Sequence, residues 1–149
     1  MKKIAAIIVL LLAACASSSK DGKPAFPQPE LQLGQANEPS DFLYSNGTVR
    51  LRYALEITNN ADQQLTLRRI ELRSTSGGYY QLPTRSEMFN LAIPPHSTET
   101  ATFAMWGTAT GSMRTHVVEP TTLRGVAYFD TPTGPMQKLF TSTIDLAGR

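Results

Sequence analysis

Two histidines, His96 and His116, and a single cysteine, Cys15, are the side chains best suited to acid–base, nucleophilic or metal chemistry. Their spacing speaks against all three. The histidines lie far apart, each in a loop-like stretch, and with Cys15 distant from both no zinc-site spacing exists. Ser97 adjoins His96, but adjacent loop residues do not form a nucleophile–base pair, and no third group is placed to orient the imidazole. No Gly-x-Ser-x-Gly elbow occurs. The segment GTATGS at 107–112 lacks the lysine and the strand-to-helix setting of a phosphate loop. The acidic residues are scattered singly. We therefore expect no catalytic residue, no metal and no cofactor.

Binding chemistry is better represented. Arg50, Arg52, Arg68 or Arg69, and Arg73 alternate with apolar residues in strand-like segments, so they face solvent. Guanidinium groups there could meet the phosphates of lipid headgroups or lipopolysaccharide in bidentate contacts. A solvated sheet face, partly balanced by Glu56 and Glu71, is the simpler expectation. Tyr79, Tyr80 and Trp106 could stack on a sugar such as peptidoglycan, although strand aromatics are more often core or cross-strand partners. Residues 107–120, GTATGSMRTHVVEP, read as a long loop of the kind that carries function. Met113, Arg114 and His116 are its candidate contact residues.

Cys15 has a different explanation. Lys2 and Lys3 precede an apolar run from Ile4 to Leu12, followed by Ala13 and Ala14, the layout of a secretory signal over residues 1–14. The run is too short for a stable membrane-spanning helix, which needs about 20 apolar residues. Leu12-Ala13-Ala14-Cys15 resembles the lipobox of bacterial lipoproteins. The resemblance implies cleavage after Ala14, a diacylglyceryl group on the Cys15 sulfur, and acylation of the new amino terminus. Each buried methylene contributes about 0.8 kcal/mol, so two or three chains make an anchor that does not let go. Ala16 follows the cysteine where an Asp would favour inner-membrane retention, which implies the periplasmic face of the outer membrane. Loss of Lys2 and Lys3 from the 14 basic residues leaves a mature chain balanced against its 12 acidic ones. A neutral chain offers no footprint for nucleic acid. With the thiol lipidated no intramolecular disulfide forms, so the domain depends on an apolar core.

The elements that position these side chains read as strands. Residues 15–29 are polar and Pro-rich and form a tether, and a single domain covers 30–149. In TVRLRYALEIT, Val49, Leu51, Tyr53, Leu55 and Ile57 share one face, while Arg50, Arg52, Glu56 and Thr58 share the other. After NNADQQ comes LTLRRIELR, where Leu65 and Leu67 have one parity and Ile70 and Leu72 the other. One inserted residue near Arg68-Arg69 restores a single apolar face, which predicts a β-bulge. Further strands are expected over 31–36, 79–82, 89–93, 98–106, 123–130 and 138–146, punctuated by Gly77-Gly78, Pro94-Pro95 and TPTGP. Seven to eight short strands without a helical period predict an all-β, immunoglobulin- or fibronectin-like antiparallel sandwich, with a closed barrel as the alternative.

LRYALEITNNADQQLTLRRIEL, IPPHSTETATF and LRGVAYFDTPTGPMQKLFTSTIDL together are similar to the late-embryogenesis-abundant type 2 (WHy) domain, over roughly residues 49–146. This chain has Asn59-Asn60-Ala61 where that family carries Asn-Pro. The resemblance implies an immunoglobulin-like fold, in which NNADQQ either closes a hairpin or carries the chain between sheets. It also implies a non-catalytic interaction domain linked to stress protection or envelope maintenance. The alternative expectation is a lipoprotein that recognises peptidoglycan or a phosphate-bearing glycolipid.

Overall fold

A computed structural model describes residues 26–36, 46–76, 78–110 and 120–145. Eight strands follow in chain order: β1 (Glu30–Gln35), β2 (Asn46–Asn59), β3 (Leu65–Ser74), β4 (Tyr80–Gln81), β5 (Arg85–Ile93), β6 (Ser97–Thr110), β7 (Thr121–Thr131) and β8 (Gly134–Ile144). They form two four-stranded antiparallel sheets, β1-β2-β6-β4 and β5-β3-β7-β8. The all-β sandwich expected from the alternation is the observed fold, and the barrel is not.

β2, β3, β6 and β7 each bury one face. Leu51, Leu55, Ile57, Leu65, Leu67, Ile70 and Leu123 are fully enclosed between the sheets. A side chain of this kind contributes about 1.5–3 kcal/mol on burial, and this core holds the domain without a disulfide. Phe89 of β5 meets Phe103 of β6 edge to face at 5.8 Å, and Tyr53 of β2 lies 5.5 Å from Phe103, so aromatic rings bridge the two sheets. Packing starts ahead of the first strand: Phe26 rests on the core and Pro29 is buried, so the last residues of the expected tether lie on the domain.

The bulge sits where the parity change places it. Register shifts between Leu67 and Arg69 in the ladders to both β5 and β7. All four flanking aliphatics thereby point inward, and Arg68 and Arg69 both reach the outer face. NNADQQ carries the chain from β2 in the first sheet to β3 in the second, the crossing alternative. TPTGP makes the β7–β8 turn, with Thr131 paired to Gly134 and Gly134 at φ 125°.

Three boundaries differ from expectation by four residues, each for a reason. β6 runs on through Gly107–Thr110, four residues assigned above to a loop, because β2 extends to Asn46 and pairs with them. Gly107 also lets β4 approach, since a Cβ there would meet Leu51 Cδ1 at 2.6 Å and the Gln81 carbonyl oxygen at 2.8 Å. β5 begins at Arg85, ahead of Phe89, as an edge whose first four residues are exposed and so show no apolar alternation. β8 begins at Gly134 because the hairpin closes tightly on Thr131.

Candidate functional site

The residues singled out for binding do not converge on one spot. Cys15, Met113, Arg114 and His116 lie outside the described residues. Arg50, Arg52 and Trp106 are together on the outer face of the first sheet, where Arg50 is registered against Trp106 and Arg52 against Ala104. Trp106 is 56% exposed, the solvent-facing member of a strand whose other parity packs Phe103 and Met105 inside. Neither Arg50 nor Arg52 is without a partner. Tyr79 and Tyr80 are buried, as strand aromatics usually are, and present no sugar-stacking surface.

Arg73 is on the opposite side of the molecule. It is exposed on the outer face of the second sheet and registered directly against Arg124 of β7. Arg124 was not among the expected site residues. Alternation in LRGVAYFD turns Arg124 outward once Leu123 is inside, but only the β3–β7 register places it opposite Arg73. Directly opposed residues have Cβ atoms about 4.5–5.5 Å apart, and like charges in that position are destabilising.

Among the described residues, the other charged side chains of this face are paired. Arg68 Nε lies 2.7 Å from Asp130 Oδ2, and the same guanidinium donates to Asn90 Oδ1. Arg69 lies 3.3 Å from Glu71 Oε1 and stacks 4.0 Å from the Tyr128 ring centroid. The Tyr128 hydroxyl donates to Glu71 Oε2 at 3.0 Å. Arg73 and Arg124 flank a groove of about 270 Å³ that also includes Glu71, Thr84 and Val126.

A larger groove of about 500 Å³ lies at the end of the sandwich beside Ser74, Thr75, Ser76, Gln81 and Thr108. The hydroxyls of Ser74, Thr75 and Ser76 are committed to backbone. Ser74 Oγ accepts from the Leu82 amide at 3.0 Å, Thr75 Oγ1 donates to the Thr122 carbonyl at 3.4 Å, and Ser76 Oγ accepts from the Thr122 amide at 3.1 Å. Thr75 and Ser76 fasten the β3–β4 connection to β7, and Ser74 closes it on Leu82.

His96 stands in the left-handed region at φ 51° in the Pro94-Pro95 corner, and its Nε2 lies 2.7 Å from Asp62 Oδ1. Both side chains are mostly in water, at 63% and 95% exposure, so the pair is a surface clasp between the two sheet-crossing loops. Ser97 Oγ donates to the Pro94 carbonyl at 2.8 Å and is not directed at the imidazole. Among the described residues no three of His, Cys, Asp and Glu gather around one point as metal ligands would.

Inside the core a polar chain runs from the Tyr53 hydroxyl, donating to Tyr80 Oη at 3.2 Å, to Gln35 Oε1, which accepts from Tyr80 at 2.9 Å. Burial raises both phenols well above their ordinary pKa, and in Tyr53 the neighbouring Tyr80 adds to the rise. Gln35 Nε2 is buried with no hydrogen-bond partner among the described residues.

No protein-family model matches the chain, and no curated protein matches it in sequence. Among solved structures it is similar to a protein from Archaeoglobus fulgidus at 9% identity and TM-score 0.49, covering 76% of this chain and 91% of that one. It is also similar to a protein from Bordetella pertussis described as ApaA, at 12% identity and TM-score 0.48, covering 82% and 98%. Likeness at this level carries no functional argument.

Proposed function

We propose that this chain is a bacterial lipoprotein whose sandwich serves as a non-catalytic interaction module, held by lipid on Cys15 at the periplasmic face of the outer membrane. The observation that carries the reading is Leu12-Ala13-Ala14-Cys15 behind a basic start and a short apolar run. Ala16 in place of an acidic residue supports the outer membrane. The similarity of residues 49–146 to WHy domains supports a role in envelope maintenance or stress protection.

The way the domain meets its tether agrees with an anchored module. β1, the first strand after the tether, pairs with β2 over six residues in the first sheet. Ser142 Oγ of β8 donates to the Leu33 carbonyl at 3.0 Å, which ties the same strand to the second sheet. A pull from the membrane is thereby shared by both sheets.

Metabolic palmitate labelling, with and without the lipoprotein signal-peptidase inhibitor globomycin, tests the reading. The wild-type chain takes up label and fractionates with outer membrane, while Cys15→Ser takes up none and is released from it. A mature wild-type chain free in the periplasm with a titratable Cys15 thiol would overturn the proposal.

A further inference from the structure

The outer face of the second sheet has an unbalanced charge pattern with a physical consequence. Asp130 is satisfied by Arg68, and Glu71 by Arg69 and Tyr128. Each carboxylate on this face thus takes one guanidinium. The side chains of Arg73 and Arg124 remain, exposed and opposed across β3 and β7, with no hydrogen bond or ion pair to any described residue. A sheet with no ligand to hold gains nothing from this arrangement, because two cations in register repel.

From this placement we propose that Arg73 and Arg124 form a clamp for a phosphate monoester. A dianion between two planar forks turns their repulsion into charge-assisted hydrogen bonds, and its three terminal oxygens give both guanidinium groups an acceptor edge. A carboxylate, with one charge and two oxygens, is matched by a single Arg, as Asp130 and Glu71 demonstrate on the same face. The groove between the two arginines, about 270 Å³, has room for the phosphate and the first atoms of its ester. Thr84 adds a neutral hydroxyl donor on one side, and Val126 an apolar wall on the other. Glu71 is the one acidic residue lining the groove, and its engagement by Arg69 and Tyr128 directs a bound anion to the Arg73–Arg124 end. The bulge makes this possible: if β3 alternated strictly through Arg68 with no bulge, Arg73 would turn into the core and Leu72 out of it.

The phosphate can come from a soluble metabolite or from a lipid headgroup. The full chain in phosphatidylcholine nanodiscs is titrated with glycerol 3-phosphate in one arm. In the other it is placed in nanodiscs that contain phosphatidic acid. Amide resonances of residues 71–73, 84 and 124–126 should move in the first arm for a soluble ligand, in the second for a lipid-borne one. Arg73→Gln and Arg124→Gln should each weaken binding about tenfold or more, the scale of a lost charge-assisted contact, while Lys138→Gln on β8, outside the groove, leaves it unchanged. Thermal midpoints guard against misfolded variants. In anion-free buffer both Gln variants should melt no lower than wild type, and added ligand should raise the wild-type midpoint alone. Silence of the groove resonances in both arms, or equal binding by the Gln variants, overturns the clamp. The site does not depend on the lipid anchor, so a negative palmitate result leaves this test intact.

Discussion

Asn59 shows how one side chain can decide the path of the backbone. It ends β2 fully buried, and its Nδ2 lies within hydrogen-bonding distance of the Gln63, Ile93 and Pro94 carbonyl oxygens at 2.9, 3.2 and 2.9 Å. An amide has two N–H donors, so three acceptors share them. Its Oδ1 accepts from the Ala61 amide at 3.0 Å, an Asx-type turn that bends the chain out of the sheet. One residue thus fastens both loops that cross between the sheets. Asn59→Ala would leave three buried or half-buried carbonyls and an amide short of partners, at about 1–3 kcal/mol for each fully orphaned group. We expect a loss of about 3 kcal/mol or more in chemical denaturation, and a still larger loss for Asn59→Asp, which cannot donate to the carbonyls. A loss below about 1 kcal/mol for Asn59→Ala would show that water takes over the role. In the sequence, Asn59 reads only as a turn-former. Its main acceptors, Ile93 and Pro94, are far along the chain and come close only when both crossings are made.

At the scale of elements, the β7–β8 hairpin depends on a glycine and a ring. Gly125 is registered against Phe140, and a Cβ at Gly125 would lie 2.2 Å from Phe140 Cζ. The ring occupies the space that any larger residue would claim, so Gly125→Ala must push Phe140 off its seat. Overpacking of this kind costs about 1–3 kcal/mol. Phe140→Leu should relieve part of it, giving a double variant more stable than the sum of the single losses predicts. Strict additivity in a double-mutant cycle would mean that the ring moves aside freely. The neighbouring β3 illustrates the opposite case, where the sequence sufficed. Leu65, Leu67, Ile70 and Leu72 change parity within the chain itself, and the need to bury all four specifies the bulge. By contrast, the strand character of Gly107–Thr110 was hidden, because a glycine and threonines resemble loop until β2 is seen beside them.

For the whole molecule, the buried phenols make stability depend on pH at the alkaline end. Tyr53 and Tyr80 stay neutral in the fold well above the ordinary value of 10.0, because ionising them would place charge in the core. In the unfolded chain both ionise near that value. Above it the folded form binds more protons than the unfolded form, so this contribution is complete below about pH 10 and declines as pH rises further. An alkaline titration followed by phenolate absorbance and far-ultraviolet circular dichroism should show part of the tyrosine signal appearing together with loss of strand structure. Tyr53→Phe with Tyr80→Phe should remove that coincident part. Ionisation of all five tyrosines with the sheets intact would refute it.

Alternation along single segments was enough to assign the inward and outward faces of β2 and β3, the bulge, and the all-β class, since side-chain direction in a strand depends only on immediate neighbours. The residues around Cys15 likewise carry their expectation within a few positions of one another. The tertiary structure decided which outward residue faces which: Arg73 against Arg124, Arg50 against Trp106, and Asn59 beneath the Pro94 corner. Those pairings are set by register between strands distant in sequence. Register follows from how two buried faces fit together, a property of both sheets at once and of no single stretch of chain.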